Sequence, residues 1–158
     1  MTNTLSVAAL FTLINTAAFA SSYCTLDDTA MFSCTFQNGA KAVEVCDAIW
    51  LDGDQAAYGF FKRDGTIEKE IITDKASLIY DTGTGLGAQL SESVSFNTND
   101  GYTYEVYWSA ARDADDVSGG INVLQNGDSI ANLICDAGSV EHDLFTLIEM
   151  IDTAQISP

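Results

Sequence analysis

Short runs of alternating apolar and polar residues, each pair broken by Asn-Gly or Asp-Gly, recur four times between Met31 and Cys135. Such a dipeptide between alternating runs is the strongest short-range signal for a β-hairpin, because the turn demands positive φ and glycine supplies it. In the first unit Met31 to Phe36 and Lys41 to Cys46 flank Asn38-Gly39. A two-residue turn there sets Phe32 opposite Val45 and Cys34 opposite Val43 on one apolar face. The second unit pairs Ala57 to Arg63 with Thr66 to Ile72 around Asp64-Gly65, placing Tyr58 across from Ile71 and Lys62 across from Ile67. Tyr58, Phe60, Ile67 and Ile71 then share a face. In the third, a three-residue loop Asn99-Asp100-Gly101 aligns Phe96 with Tyr104 and Val94 with Val106, leaving Ser91, Ser93 and Ser95 as a solvated stripe opposite. The fourth joins Ile121 to Gln125 with Ile130 to Cys135 through Asn126-Gly127, and its mostly apolar second strand predicts burial on both sides, under a helix.

After this the period changes. Val140, Leu144, Leu147, Ile148 and Ile151 recur at three and four residues, behind Ser139 as an N-cap and with Glu141 and Asp143 near the positive end of a helix dipole. The stretch from Lys75 to Gln89 reads as a long connection between the second and third hairpins. Together these patterns predict a mainly β chain, an antiparallel β-sandwich or flattened barrel of about eight strands with one C-terminal α-helix.

Composition adds a compartment. The 158 residues are 47% hydrophobic with a single proline, which suits one ordered domain. Residues 1 to 20 have no charged side chain, are mostly apolar from Leu5 to Ile14, and end in Ala18-Phe19-Ala20. That pattern predicts a cleaved secretory signal and a single domain over residues 21 to 158, periplasmic or extracellular. No later stretch is long enough for an integral membrane segment. Behind a signal, the four cysteines Cys24, Cys34, Cys46 and Cys135 predict two disulfides. Strand parity puts Cys34 and Cys46 on opposite faces of the first hairpin, so the expected pairs are Cys24 with Cys34 and Cys46 with Cys135.

Charge narrows the partners. Six Lys and Arg against 23 Asp and Glu give a formal charge of −17. Nucleic acid is excluded, because neutralising phosphates needs clustered cations. A basic secreted or envelope protein suits this surface, since acidity steers a cationic partner at long range.

Candidate chemistry is sparse. The lone His142, beside Glu141 and Asp143, reads as an exposed helix residue, and the carboxylates are too many to single out an acid and a base, so no catalytic residue is nominated. Gly83-Thr84-Gly85-Leu86-Gly87 lacks the Lys-Ser/Thr of a phosphate loop, and no cofactor is expected. The cysteines lack the short paired spacing of a zinc site. Asp52 with Asp54, and Asp113 with Asp115 and Asp116, offer oxygen ligands without the full spacing of a calcium loop. Tyr102, Tyr104 and Trp108 share one face, as a core would require, whereas Tyr107 points the other way. Trp50, Tyr107, Asp113, Asp115 and Asp116 are therefore the candidate binding residues.

The runs Cys34-Thr-Phe-Gln-Asn-Gly-Ala-Lys41, Val43-Glu-Val-Cys46, Tyr58-Gly-Phe60, Ser93-Val-Ser-Phe96 and Tyr102-Thr-Tyr-Glu-Val106 resemble those of small secreted or periplasmic bacterial β-proteins with two disulfides. The resemblance covers most of the chain after residue 20 and implies a location rather than an activity. More loosely, the chain is similar to periplasmic lysozyme inhibitors, small β-proteins that act on a basic enzyme. Their Ser-Gly-x-x-Tyr loop is absent, because Ser118-Gly119 is followed by Gly120, Ile121 and Asn122. The expected function is a noncatalytic binding module for a cationic protein, with a small carboxylate-dependent enzyme and a calcium-stabilised envelope component as alternatives.

Overall fold

The hairpin signals become two consecutive meanders that face each other. A computed structural model describes residues 23–26, 29–83, 89–111 and 116–156. In the first sheet β1 (Ala30–Phe36), β2 (Lys41–Asp47), β3 (Gln55–Lys62) and β4 (Ile67–Asp74) follow in order, with the two-residue β10 (Glu141–His142) on the free edge of β1. The second sheet holds β5 (Ile79–Thr82), β6 (Gln89–Asn97), β7 (Tyr102–Ala111), β8 (Val117–Gln125) and β9 (Asp128–Ile134), again in order. All pairings are antiparallel. The result is an open sandwich, and the expected fold class holds. Helix α1 (Leu144–Ile156) packs against β1, β6 and the short 3₁₀ turn Lys75–Ser77. Phe32, Val43, Val45 and Tyr58 from one sheet meet Val94, Phe96, Val106 and Ile121 from the other, with Leu144, Leu147, Ile148 and Ile151 of α1 completing the core.

Register follows the turns where turn and parity agree. Phe32 pairs with Val45 and Cys34 with Val43, although the loop is the four residues Gln37 to Ala40, with Gln37 and Asn38 left-handed. Phe96 pairs with Tyr104 and Val94 with Val106 around the left-handed Gly101. The second hairpin keeps Tyr58 opposite Ile71 as expected and departs at its turn end, where Lys62 does not face Ile67. A bulge moves Ile67 opposite Phe61, so Ile67 leaves the core face and joins Phe61 on the outer one.

Three further expectations are corrected. Strand β9 is exposed along its whole length because it is the edge of its sheet and α1 packs elsewhere. The helix begins at Leu144 because β1 recruits Glu141 and His142 as a strand, while the Ser139 hydroxyl donates to the Asp136 carbonyl instead of capping a helix. The segment that starts at Lys75, expected to be a plain connection, carries the 3₁₀ turn and β5.

The disulfides are Cys24–Cys46 and Cys34–Cys135, so the expected pairs are exchanged. Parity explains the exchange. Cys34 points inward with Phe32 and Phe36 and meets Cys135, which follows β9 in the opposing sheet. Cys46 points outward and is covered by the segment carrying Cys24. Two disulfides fit an oxidising, extracytoplasmic setting. Among the described residues no helix is long and apolar enough to cross a membrane. Residues 1 to 20, Asp113, Asp115 and the stretch Thr84 to Gly87 lie outside the described residues.

Candidate functional site

A hollow of about 290 Å³ opens on the outer face of the first sheet, lined by Tyr23, Trp50, Phe61, Ile67, Glu70 and Ile72, with Thr25 and Gly65 at its margin. Its floor is the outward side of β3 and β4, where Phe61 pairs with Ile67 and Gly59 with Glu70. Its wall is the segment tied down by Cys24–Cys46. The Tyr23 ring lies directly on Gly59, where a Cβ would sit 2.4 Å from the ring. Only glycine at that position lets the tyrosine approach the strand.

Tyr23 then stacks on Phe61 with ring centroids 6.3 Å apart and donates its hydroxyl to Glu70 Oε1 at 2.8 Å. Burial, and then the Glu70 carboxylate, push the phenol well above its ordinary range, so it remains a donor at any physiological pH. Next to it, the Cys24 backbone N–H donates to Glu44 Oε2 at 2.8 Å. Both neighbouring sulfurs are held in the disulfide, so this corner offers no thiolate to a metal. Ile67 is 50% exposed and Ile72 42%, which is unusual for neighbouring isoleucines and leaves the hollow partly apolar.

Trp50, one of the two aromatic candidates for exposed contact, lines the hollow. Tyr107 lies on the outer face of the other sheet, so the two aromatic candidates serve different surfaces. Asp116 is exposed beside β8. Asp54, the partner of Asp52 in the shorter acidic pair, is engaged with Lys75 at 2.7 Å. Tyr23, Phe61, Glu70 and the two isoleucines were missed. The available signal was Gly59 inside the apolar run Ala56 to Phe61, since an isolated strand glycine marks close backbone approach.

His142 is half-buried between the sheets rather than exposed on the helix. Its ring stacks on Trp108 at 3.8 Å, and the Trp108 indole N–H donates to Glu92 Oε2 at 2.8 Å. Burial holds the imidazole below its ordinary value, against the opposing pull of Glu92 and Asp143. The neutral ring therefore favours the folded state fully above about 6.5, and this contribution erodes as pH falls below that value. Taking the protein from about pH 7.5 to pH 5.5 is expected to lower the melting temperature more in the wild type than in His142→Phe. Equal falls in the two proteins would remove His142 as a source of acid sensitivity.

No protein-family model, curated protein or solved structure matches the chain, so the reading of the site rests on its own geometry and chemistry.

Proposed function

We propose that the protein is an exported, noncatalytic binding module whose hollow receives a basic side chain of a cationic protein partner. The observation that carries this reading is the meeting of Tyr23, Trp50 and Phe61 with Glu70 in one concave, partly apolar place on a chain of charge −17. Aromatic faces attract a cationic head, the isoleucines suit its aliphatic stem, and the carboxylate supplies the counter-charge. Long-range acidity raises the encounter rate with such a partner, while the hollow supplies specificity. The four cysteines, all oxidised, and the leader-like residues 1 to 20 support delivery to the periplasm or the medium.

The test is surface binding of the purified protein to a set of basic secreted proteins, lysozymes included, at salt from about 50 to 500 mM. Binding to at least one is expected, weakening with salt and falling at least about tenfold in Trp50→Ala. No capture at low salt would overturn the reading. Capture that Trp50→Ala leaves unchanged would move the contact away from the hollow and leave only the acidic field.

A further inference from the structure

We propose that the outer face of the second sheet is a separate binding site for a neutral saccharide. Its central feature is a row of side chains crossing four strands. Ser93 of β6 donates to Glu105 Oε1 of β7 at 3.0 Å, Asn122 of β8 donates to Glu105 Oε2 at 2.8 Å, and Asn132 of β9 donates to the Asn122 carbonyl at 2.6 Å. The row fixes the planes of a carboxylate and two amides before any ligand arrives, which lowers the ordering cost of binding. It does not exhaust them. Each asparagine spends one of its two N–H donors in the row, and a carboxylate has about four lone-pair sites, of which the row uses two.

Beside the row lies Tyr107. It pairs with Gly120, and a Cβ at Gly120 would meet the tyrosine hydroxyl at 2.9 Å and Cζ at 3.1 Å. The side chain therefore leans along the sheet over the glycine instead of standing away from it. Its hydroxyl reaches Asn132 Oδ1 at 3.4 Å, so the ring ends against the same row. The ring is half-buried, with its other side toward solvent.

A ring lying along a flat face, bordered by fixed amide and carboxylate groups, matches a pyranose. The sugar's C–H face stacks on the ring, and its adjacent hydroxyls pair with the planar groups. Charge supports this occupant over a basic protein. Along the outward positions of β6, β7 and β8 the residues are mostly serine, threonine, asparagine, glutamine and glycine, beside Tyr107, Ala111 and Leu124, with Glu105 the acid among them, on a chain of charge −17. This site and the hollow lie on opposite outer faces of the sandwich, so either can fail without the other.

The experiment is titration calorimetry of the full chain with neutral hexasaccharides: α- and β-linked glucose, β-linked N-acetylglucosamine, xylose and mannose. Heat of binding to at least one is expected, with affinity reduced at least about tenfold in both Tyr107→Ala and Asn122→Ser and unchanged in Trp50→Ala. Backbone amide shifts on adding that sugar should concentrate on β6 to β9, a readout that does not depend on a variant folding. Absence of binding to every hexasaccharide at about 10 mM, a Kd range that already spans weak sites, would overturn the proposal. So would sugar binding that both variants leave intact, or a solution dimer whose concentration-dependent amide shifts place the second copy on this face.

Discussion

Replacing Cys34 and Cys135 together by alanine is expected to cost about 4–5 kcal/mol of stability, a fall in melting temperature on the order of 15 °C at this chain length. The sequence separation of 101 residues closes the chain from β1 to the end of β9 into one loop, and the entropy removed from the unfolded state grows with that length. The bond also joins β1 to the strand end of the opposing sheet, beside the loop that Asp136 organises. Asp136 accepts from the Asn38 and Gly39 N–H groups at 3.0 and 2.8 Å and from the Thr35 hydroxyl at 2.8 Å. Burial, the largest single influence, raises this carboxyl, and the three hydrogen bonds together outweigh it and hold it below the usual range.

The second disulfide should behave differently. Cys24–Cys46 spans 22 residues, for which the same chain-entropy account gives about 3 kcal/mol. Its larger effect should be local, because it pins the segment whose Tyr23 ring forms the wall of the hollow. Denaturant unfolding of the two alanine pairs, read beside partner binding, separates these roles. Losing Cys34–Cys135 should lower stability most while the hollow survives in the folded fraction, and losing Cys24–Cys46 should do the reverse. Equal stability losses would contradict the loop-length account.

What the sequence made legible follows from what is local. The registers of the first and third hairpins depend on parity and turn chemistry, both carried by neighbouring residues, and Phe32, Cys34, Val94 and Phe96 fall where the pattern puts them. Ile67 departs from the pattern because the one-residue bulge lies beside it at the turn end of β4, whereas Ile71, beyond the bulge, keeps the face that alternation gives it. β9 was misread because apolar composition resembles burial, whereas its exposure follows from strand order, which is a tertiary fact. Glu141 and His142 likewise fit a helix pattern until the free edge of β1 claims them. The hollow was half legible. Trp50 and the glycine at 59 could be noticed in the chain, but the tyrosine that rests on that glycine arrives from a short segment without periodicity.

Lys75→Met is expected to cost about 3 kcal/mol, in the range seen when one partner of a buried ion pair is removed. Lys75 is 5% exposed, and its ammonium lies 2.7 Å from both Asp47 of β2 and Asp54 of the loop before β3. Its own backbone N–H donates to the Asp54 carbonyl, so one residue ties the crossing between the two sheets to the first. Methionine retains the stem volume, so the loss reports charge rather than a cavity. What remains is Asp47, whose side chain is only 15% exposed and would have no cation against it. Lys75→Met combined with Asp47→Asn should therefore recover part of the loss, a coupling of about 1–2 kcal/mol. The pH dependence gives an independent check. Burial alone would lower the ammonium, but the bonds to Asp47 and Asp54 outweigh it and leave the group above its ordinary value. A raised folded value means that the stabilisation is complete below the unfolded value of about 10.4 and is lost as pH rises through the folded one. As pH is raised from neutral, wild type and Lys75→Met should then converge in melting temperature only in strong alkali. Convergence already at neutral pH would show that the pair offsets its own desolvation and contributes nothing net.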